Sequence, residues 1–392
     1  MLLSILGREA ARVRRSPLKI ALIGIFLFII SYHFLIPYEA KAYIFGYPDI
    51  TACNIEEAEA SLCNVVHSEA RIPNVLHFVY ILVDPTSDFP LQFSHFISIY
   101  AAWYRWRPDK IYLHVNVDAD SEPIRRAKSG ATGKWNQLVF NFPDIVINTV
   151  QVPTHTDAGI EIVRPEHLSD FVRVQVVHDF GGIYIDTDVH ALRDVATLRE
   201  MGFGAVTGRQ TYGSVQSGTF MSEKGGELIS RWRERMHRVY DGGWTTHSDR
   251  AITYVAEGLE DEGDGCEVLI LGKNAFTPLG GRYSSYKKMF SEYDDGALPA
   301  NVTQGDELPW HSDEITVNNS AEETPPWGMD WACTYLVHVI STRKPRDGAN
   351  SNGISPRSVL ERNSNFAVAV YPIVKHLYDT GMITLDDTDS GL

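Results

Sequence analysis

Positive charge is in short supply along this chain. Its 392 residues carry 35 Lys and Arg against 50 Asp and Glu, a formal net charge of −15. A general nucleic-acid binder needs clustered cations to meet phosphates, so nucleic acid is excluded as a partner. An enzyme that recruits a divalent cation to handle an anionic substrate is compatible with this balance. Cysteine is scarce as well. Cys53, Cys63, Cys266 and Cys333 are the only four, and none forms a CxxC pair, which removes the usual zinc pattern. Four cysteines allow three pairings; Cys53–Cys63 with Cys266–Cys333 is the favoured expectation, and buried free thiols are the alternative. Internal repeats are absent too, which argues against a solenoid. What the chain does have is core material. At 44% hydrophobic and 11% aromatic residues it can build one large domain or two ordinary ones, and wholesale disorder is ruled out.

The N-terminus bears on location. Residues 20–36, IALIGIFLFIISYHFLI, form an almost unbroken apolar run at the short end of what spans a bilayer. Arg8, Arg12, Arg14, Arg15 and Lys19 precede it, so the positive-inside bias puts the N-terminus in the cytosol. The expected organisation is a cytosolic tail (1–19), a transmembrane signal anchor (20–36) and a luminal stem (37–71). A catalytic domain (72–345) and a C-terminal helical extension packed on it (346–392) complete the chain. The alternative for the first segment is a cleaved signal peptide, because Ala40-Lys41-Ala42 has the small-x-small form of a cleavage site. Either way the chain beyond residue 40 lies in the secretory lumen, and the anchored form is a single-pass type II protein of the Golgi or ER membrane. The triplets Asn301-Val302-Thr303 and Asn318-Asn319-Ser320 are glycosylation sequons that agree with this address.

Along the chain, Ile72-Pro73-Asn74 leads into VLHFVYIL, a continuous apolar run of the kind a buried strand shows. Residues 93–106 read as a helix ended by Arg107-Pro108, and strands are expected at 110–117 and 145–152. This is the front half of an α/β domain. In HLSDFVRVQVVHDFGG, Ser169 is the expected cap of a helix whose Phe171, Val174 and Val177 share one face, and Gly181-Gly182 stop it. A short strand, 183–186, follows. A charged surface helix is expected at 223–240, an acidic irregular stretch at 294–330, and a final amphipathic helix at 364–378 interrupted by Pro372.

The stretch GGIYIDTDV carries the chemistry. Side chains alternate along a strand, so Ile183 and Ile185 face one way while Tyr184, Asp186 and Asp188 face the other. Two carboxylates on one side of a strand end repel each other unless a cation lies between them. Mn²⁺ or Mg²⁺ suits the pair, being a hard ion that keeps open positions for phosphate oxygens. The glycines let the strand run back beneath the preceding helix, which brings Asp170 and Arg173, neighbours at i and i+3, over the same cleft. The bland reading of that pair is a surface ion pair. The segment GGWTTHSDRAIT either lines an acceptor cleft with Thr246, His247 and Asp249 or caps a helix over 250–257, and the cap is preferred.

The combination SDFVRVQVVHDFGGIYIDTDV resembles the S-D-x-x-R, helix, G-G-x-Y-x-D-x-D pattern of the DXD sugar-binding region in glycosyltransferase family 32, which includes fungal Golgi-type enzymes. IPNVLHFVYIL looks like that family's first strand, and His338-Val-Ile-Ser341 keeps its C-terminal His and Ser, with Thr342 where the family has Trp. The resemblance implies a GT-A type, Rossmann-like nucleotide-sugar-binding fold carried by the N-terminal transmembrane helix. It implies that Asp186 and Asp188 hold Mn²⁺ or Mg²⁺ against the donor diphosphate, with His338 as a further metal or phosphate ligand or a packing residue. Asp170 and Arg173 would contact the donor sugar and diphosphate, and Val79, Tyr80 and Tyr184 would border the donor. The implied reaction moves a hexose from GDP-mannose or a UDP-galactose type donor to a glycan or glycolipid acceptor, with retention of configuration.

Two other classes fit parts of the pattern. IYIDTDV also matches the nucleophile strand of haloacid-dehalogenase-type phosphatases, although that motif normally opens its domain on the first strand. A non-catalytic luminal scaffold is the second, with two facing carboxylates left unexplained. The membrane topology is directly testable. In sealed microsomes an N-terminal tag is expected to be cleaved by added protease while a C-terminal tag is protected; a cleaved C-terminal tag contradicts the assignment.

Overall fold

In the computed structural model, the described residues are 50–56, 63, 70–260, 262, 265–293, 326–339 and 353–391. The apolar run 20–36 and both sequons lie outside them; among the described residues no helix is long and apolar enough to cross a membrane. The described residues all belong to one compact unit.

The centre is a seven-stranded mixed sheet in the order β3-β2-β1-β4-β7-β6-β8. Its strands are β1 (Val75–Tyr80), β2 (Lys110–Val115), β3 (Ile145–Thr149), β4 (Gly182–Ile185), β6 (Ala205–Arg209), β7 (Val215–Ser222) and β8 (Leu269–Leu271). β1, β2, β3 and β4 run parallel to one another, whereas β7 is antiparallel to both β4 and β6. The chain builds outward from β1 to β3, then crosses back to place β4 on the other side of β1. Beyond the carboxyl ends of β1 and β4 lies the point where strand order reverses, the usual crevice of an open α/β sheet. A two-stranded ladder, β5 (Val189–Ala191) with β9 (Leu336–His338), sits beside that edge.

The sheet buries both faces. Leu76, Phe78, Ile183 and Ile185 belong to one core with helix α1 (Phe93–Trp106), while Val79, Tyr184 and Phe220 belong to the other. The second core is covered by α4 (Pro165–Phe180), α5 (Glu227–Val239) and α6 (Asp249–Glu260), which follow the short α2 (Glu122–Ser129) and α3 (Lys134–Phe140). The alternation along β4 sends Tyr184 away from Ile183 and Ile185, and Asp186 and Asp188 follow in the turn beyond the strand's end.

Three expectations change. Helix α4 begins at Pro165, so Ser169 lies inside it rather than capping it. Proline at the first helical position has its φ preset and no N–H to satisfy, and it starts the helix a turn earlier. The last helix, α7 (Asn365–Asp379), runs unbroken through Pro372. Ser364 caps it by accepting from the Ala367 amide at 3.2 Å, and Phe366, Val370, Ile373, Val374 and Leu377 pack into the α1 core, which outweighs one lost helical bond. The disulfides are Cys53–Cys333 and Cys63–Cys266, not the short-range pairs. Residues 50–56 run against the main domain, where the Ala52 amide donates to the Cys333 carbonyl and Gly272 to the Ile50 carbonyl. This brings the cysteine Cα atoms to 4.8 and 5.5 Å, within bridging range.

The turn from α4 into β4 depends on glycine. Gly181 and Gly182 have φ of 68° and 115°, and a Cβ at Gly182 would stand 2.3 Å from the Val75 carbonyl oxygen. Gly182→Ala is therefore expected to lower the unfolding free energy by roughly 2–4 kcal/mol, combining left-handed strain with displacement of β1. Denaturant titration measures it, and a wild-type midpoint contradicts this placement.

Candidate active site

Asp186 follows β4 directly, with its amide bonded to the Gly218 carbonyl of β7 at 2.9 Å. The chain then turns tightly, the Val189 amide donating to the Asp186 carbonyl at 3.0 Å, and enters β5. Because Val189 stands opposite His338 in the β5–β9 ladder, the imidazole is delivered to the aspartate turn across 150 residues of chain. The Val339 amide closes the junction on the Asp188 carbonyl at 2.9 Å. His338 Nε2 lies 3.2 Å from Asp188 Oδ1 and 3.8 Å from Asp186 Oδ2. One ligand atom from each of Asp186, Asp188 and His338 falls within 4.8 Å of the other two.

A second layer of charge supports this group from beneath. The Tyr184 hydroxyl donates to Asp186 Oδ1 at 2.5 Å. Arg173 Nη1 approaches the same oxygen at 3.4 Å and donates to the Ser217 carbonyl at 2.8 Å, while its Nη2 pairs with Asp170. The guanidinium lies over the Tyr184 ring, 5.1 Å from its centre. The other oxygen of Asp170 meets His247 Nε2 at 2.7 Å. Asp170, Arg173 and His247 are all buried.

The electrostatics follow from that geometry. Burial, reinforced by Asp188, raises the Asp186 carboxyl above its ordinary value despite Arg173, His338 and Tyr184. Burial pushes Asp188 the same way, but His338 beside it more than compensates, and its carboxyl falls below the usual range. His338 is raised: burial opposes protonation, and the two aspartates overcome it. A carboxyl and an imidazole that both hold a proton more tightly than usual, beside a second carboxylate that stays ionised, suit a divalent cation. The set of two oxygens and one nitrogen fits Mn²⁺ well and Mg²⁺ through its carboxylates.

The structure thus brings Asp170, Arg173, Asp186, Asp188 and His338 together. Tyr80 lies at the same end of the sheet: its ring stands edge-on to His95 at 6.4 Å, and His95 feels the charge of Asp188. The Val79 side chain belongs to the core cluster that also holds Tyr184. Tyr184 is also buried, and its hydroxyl serves Asp186. Beyond the carboxyl ends of β2 and β3 a cavity of about 450 Å³ is lined by Pro85, Asn116, Asp118, Ser121, Thr149 and Gln151.

His247 and Asp249, offered by the sequence as acceptor-cleft liners or a cap, take buried partners, and Gly218 escapes sequence reading. His247 is buried against Asp170, and Asp249 opens α6 while accepting from the Ser217 amide at 2.9 Å and its hydroxyl at 2.8 Å. Gly218 is required by space, since a Cβ there would lie 2.5 Å from Asp186 Oδ2 and 2.6 Å from His338 Cε1. A lone glycine within the strand segment VQSGTF is the one signal that could have marked it.

Comparison with known proteins bears on this geometry. Residues 94–203 match the family model described as a glycosyltransferase sugar-binding region containing a DXD motif. No curated protein matches the sequence. Among solved structures, the PaToxG glycosyltransferase is 16% identical, covering 53% of this chain and 79% of its own, with a TM-score of 0.37. The galactosyltransferase LgtC, solved in complex with donor and acceptor sugar analogs, is 12% identical over 77% of this chain and 95% of its own, with a TM-score of 0.35. The glycosyltransferase GlyE of Streptococcus pneumoniae TIGR4 is 12% identical, covering 50% of this chain and 45% of its own, with a TM-score of 0.31. The match contains Asp170, Arg173, Asp186 and Asp188, so the chain carries a glycosyltransferase sugar-binding region with a DXD motif.

Proposed function

We propose that the protein transfers a hexose from a nucleotide sugar, of GDP-mannose or UDP-galactose type, to a glycan or glycolipid acceptor, through a GT-A fold of the family 32 kind. The observation that carries this reading is the convergence of Asp186, Asp188 and His338 at the sheet's carboxyl edge, with Arg173 and Asp170 directly behind. Asp186, Asp188 and His338 would hold Mn²⁺ or Mg²⁺, which would supply positive charge against the departing diphosphate.

The chain's own residues do the positioning. Tyr184 and Arg173 engage one oxygen of Asp186, leaving Oδ2 on the His338 side for a cation. Asp170 has one partner on each oxygen, so lone pairs remain for hydroxyls of the donor sugar. Arg173, clamped between two carboxylates, stays charged and adds its field to the diphosphate side. The cavity beyond β2 and β3 lies on the same edge and suits the nucleoside half of the donor. Retention of configuration belongs to the family resemblance. A phosphatase reading gains no support, since the first aspartate's Oδ1 is occupied by Tyr184 and Arg173 rather than free to attack. Two disulfides among the described residues support a luminal catalytic domain anchored by residues 20–36 as a type II Golgi or ER protein.

The test is turnover of GDP-mannose and UDP-galactose with Mn²⁺, by transfer and by slow donor hydrolysis. Asp186→Asn and Asp188→Asn are each expected to cost about a hundredfold or more in rate, since one ligand stabilises the departing charge by several kcal/mol. EDTA is expected to abolish turnover in the wild type. Undiminished activity in EDTA contradicts the mechanism.

A further inference from the structure

His338 can serve a cation in only one of its two neutral forms. Nε2 offers a lone pair only while the ring proton sits on Nδ1. Nε2 is the nitrogen that faces Asp188 and Asp186. On the opposite side of the ring, Nδ1 lies 3.0 Å from Oε1 of Gln216. That same oxygen accepts from the Thr277 hydroxyl at 2.6 Å, which holds the amide in place. Gln216 sits near the start of β7, two residues before Gly218, and is 2% exposed, so water does not compete for the contact.

An amide oxygen only accepts, and its partner on the imidazole must therefore carry the proton. We infer that Gln216 is a positioning residue that holds the His338 proton on Nδ1, presents Nε2 to a divalent cation, and so biases the site toward Mn²⁺ over Mg²⁺. The inference rests on the metal reading above and deepens it. An imidazole nitrogen adds far more to a site for Mn²⁺, which accepts nitrogen, than for Mg²⁺, which prefers oxygen and keeps its waters. Turned over, the same amide would donate to Nδ1 and force the proton onto Nε2. His338 would then be a donor to Asp188 and no ligand at all. In the orientation described, Gln216 Nε2 meets no partner among the described residues, which is a cost that orientation carries. A neutral acceptor avoids placing a third carboxylate beside Asp186 and Asp188.

The experiment is electron paramagnetic resonance of Mn²⁺ bound to the detergent-solubilised full chain with GDP or UDP, read for affinity and for nitrogen-14 spin-echo modulation. Mg²⁺ affinity is read by competition. Wild type is expected to show imidazole-nitrogen modulation. Gln216→Met is expected to lose that modulation and to bind Mn²⁺ about ten- to a hundredfold more weakly, the usual cost of removing a group that orients a ligand. Its Mg²⁺ affinity falls less, so the preference narrows. Gln216→Glu, which still accepts from Nδ1, is expected to keep the nitrogen signal. Wild-type modulation and affinity in Gln216→Met overturn the inference while leaving the metal reading intact. Mn²⁺ bound to wild type without nitrogen modulation does the same, and it decides the matter without any variant should Gln216→Met not fold. Failure of wild type to bind Mn²⁺ overturns the metal reading and this inference with it.

Discussion

Two carboxylates cannot share the end of a strand in a half-buried setting without an opposite charge to hold them there. Asp186 and Asp188 face that constraint, and each neighbouring feature bears on it. Arg173 supplies one cation from below, itself balanced by Asp170, whose other oxygen meets His247. His338 supplies partial relief from the side. The balance is incomplete, since Asp186 still binds its proton more tightly than an ordinary carboxylate. The remaining deficit is what a metal–diphosphate would fill. Catalysis by preorganised charge takes this form, with the electrostatic work done when the protein folds rather than when the substrate reacts.

The fold supplies each partner from a different part of the chain. The parallel strands aim their carboxyl ends at one edge, α4 returns antiparallel to β4 so that its first turns overhang the same edge, and β7 brings Gly218 and Gln216 alongside. β9 then delivers His338, anchored through its pairing with β5 and, five residues upstream, by the bridge from Cys333 to Cys53. A ligand carried on so short a strand needs such anchoring, because three ladder residues alone hold little.

Local order was readable wherever local physics decides it. The alternation along β4, the span of α1, the glycine stop after α4 and the aspartate pair all follow from periodicity and turn chemistry. Ser169 misled because a proline four residues earlier is a stronger start than a serine cap. Other features depend on register between distant strands, which no local pattern reports. Ile185 pairs with Thr219, and only then does Gly218 stand against Asp186. His247 reaches Asp170 across 77 residues, and the disulfides close separations of 280 and 203. Gln216 leaves no trace in the sequence because nothing about a glutamine in a strand announces a distant imidazole.

The central claim is that the aspartate–histidine cluster holds a cation against a nucleoside diphosphate. Isothermal titration of GDP and UDP into the purified full chain, with Mn²⁺ and then with EDTA, tests it most directly. We expect one nucleotide to bind with Mn²⁺ and to lose binding in EDTA, and we expect Mn²⁺ to bind more tightly in its presence, as linkage requires. Nucleotide binding that is equally tight in EDTA, or absent for both nucleotides with Mn²⁺ present, would contradict it.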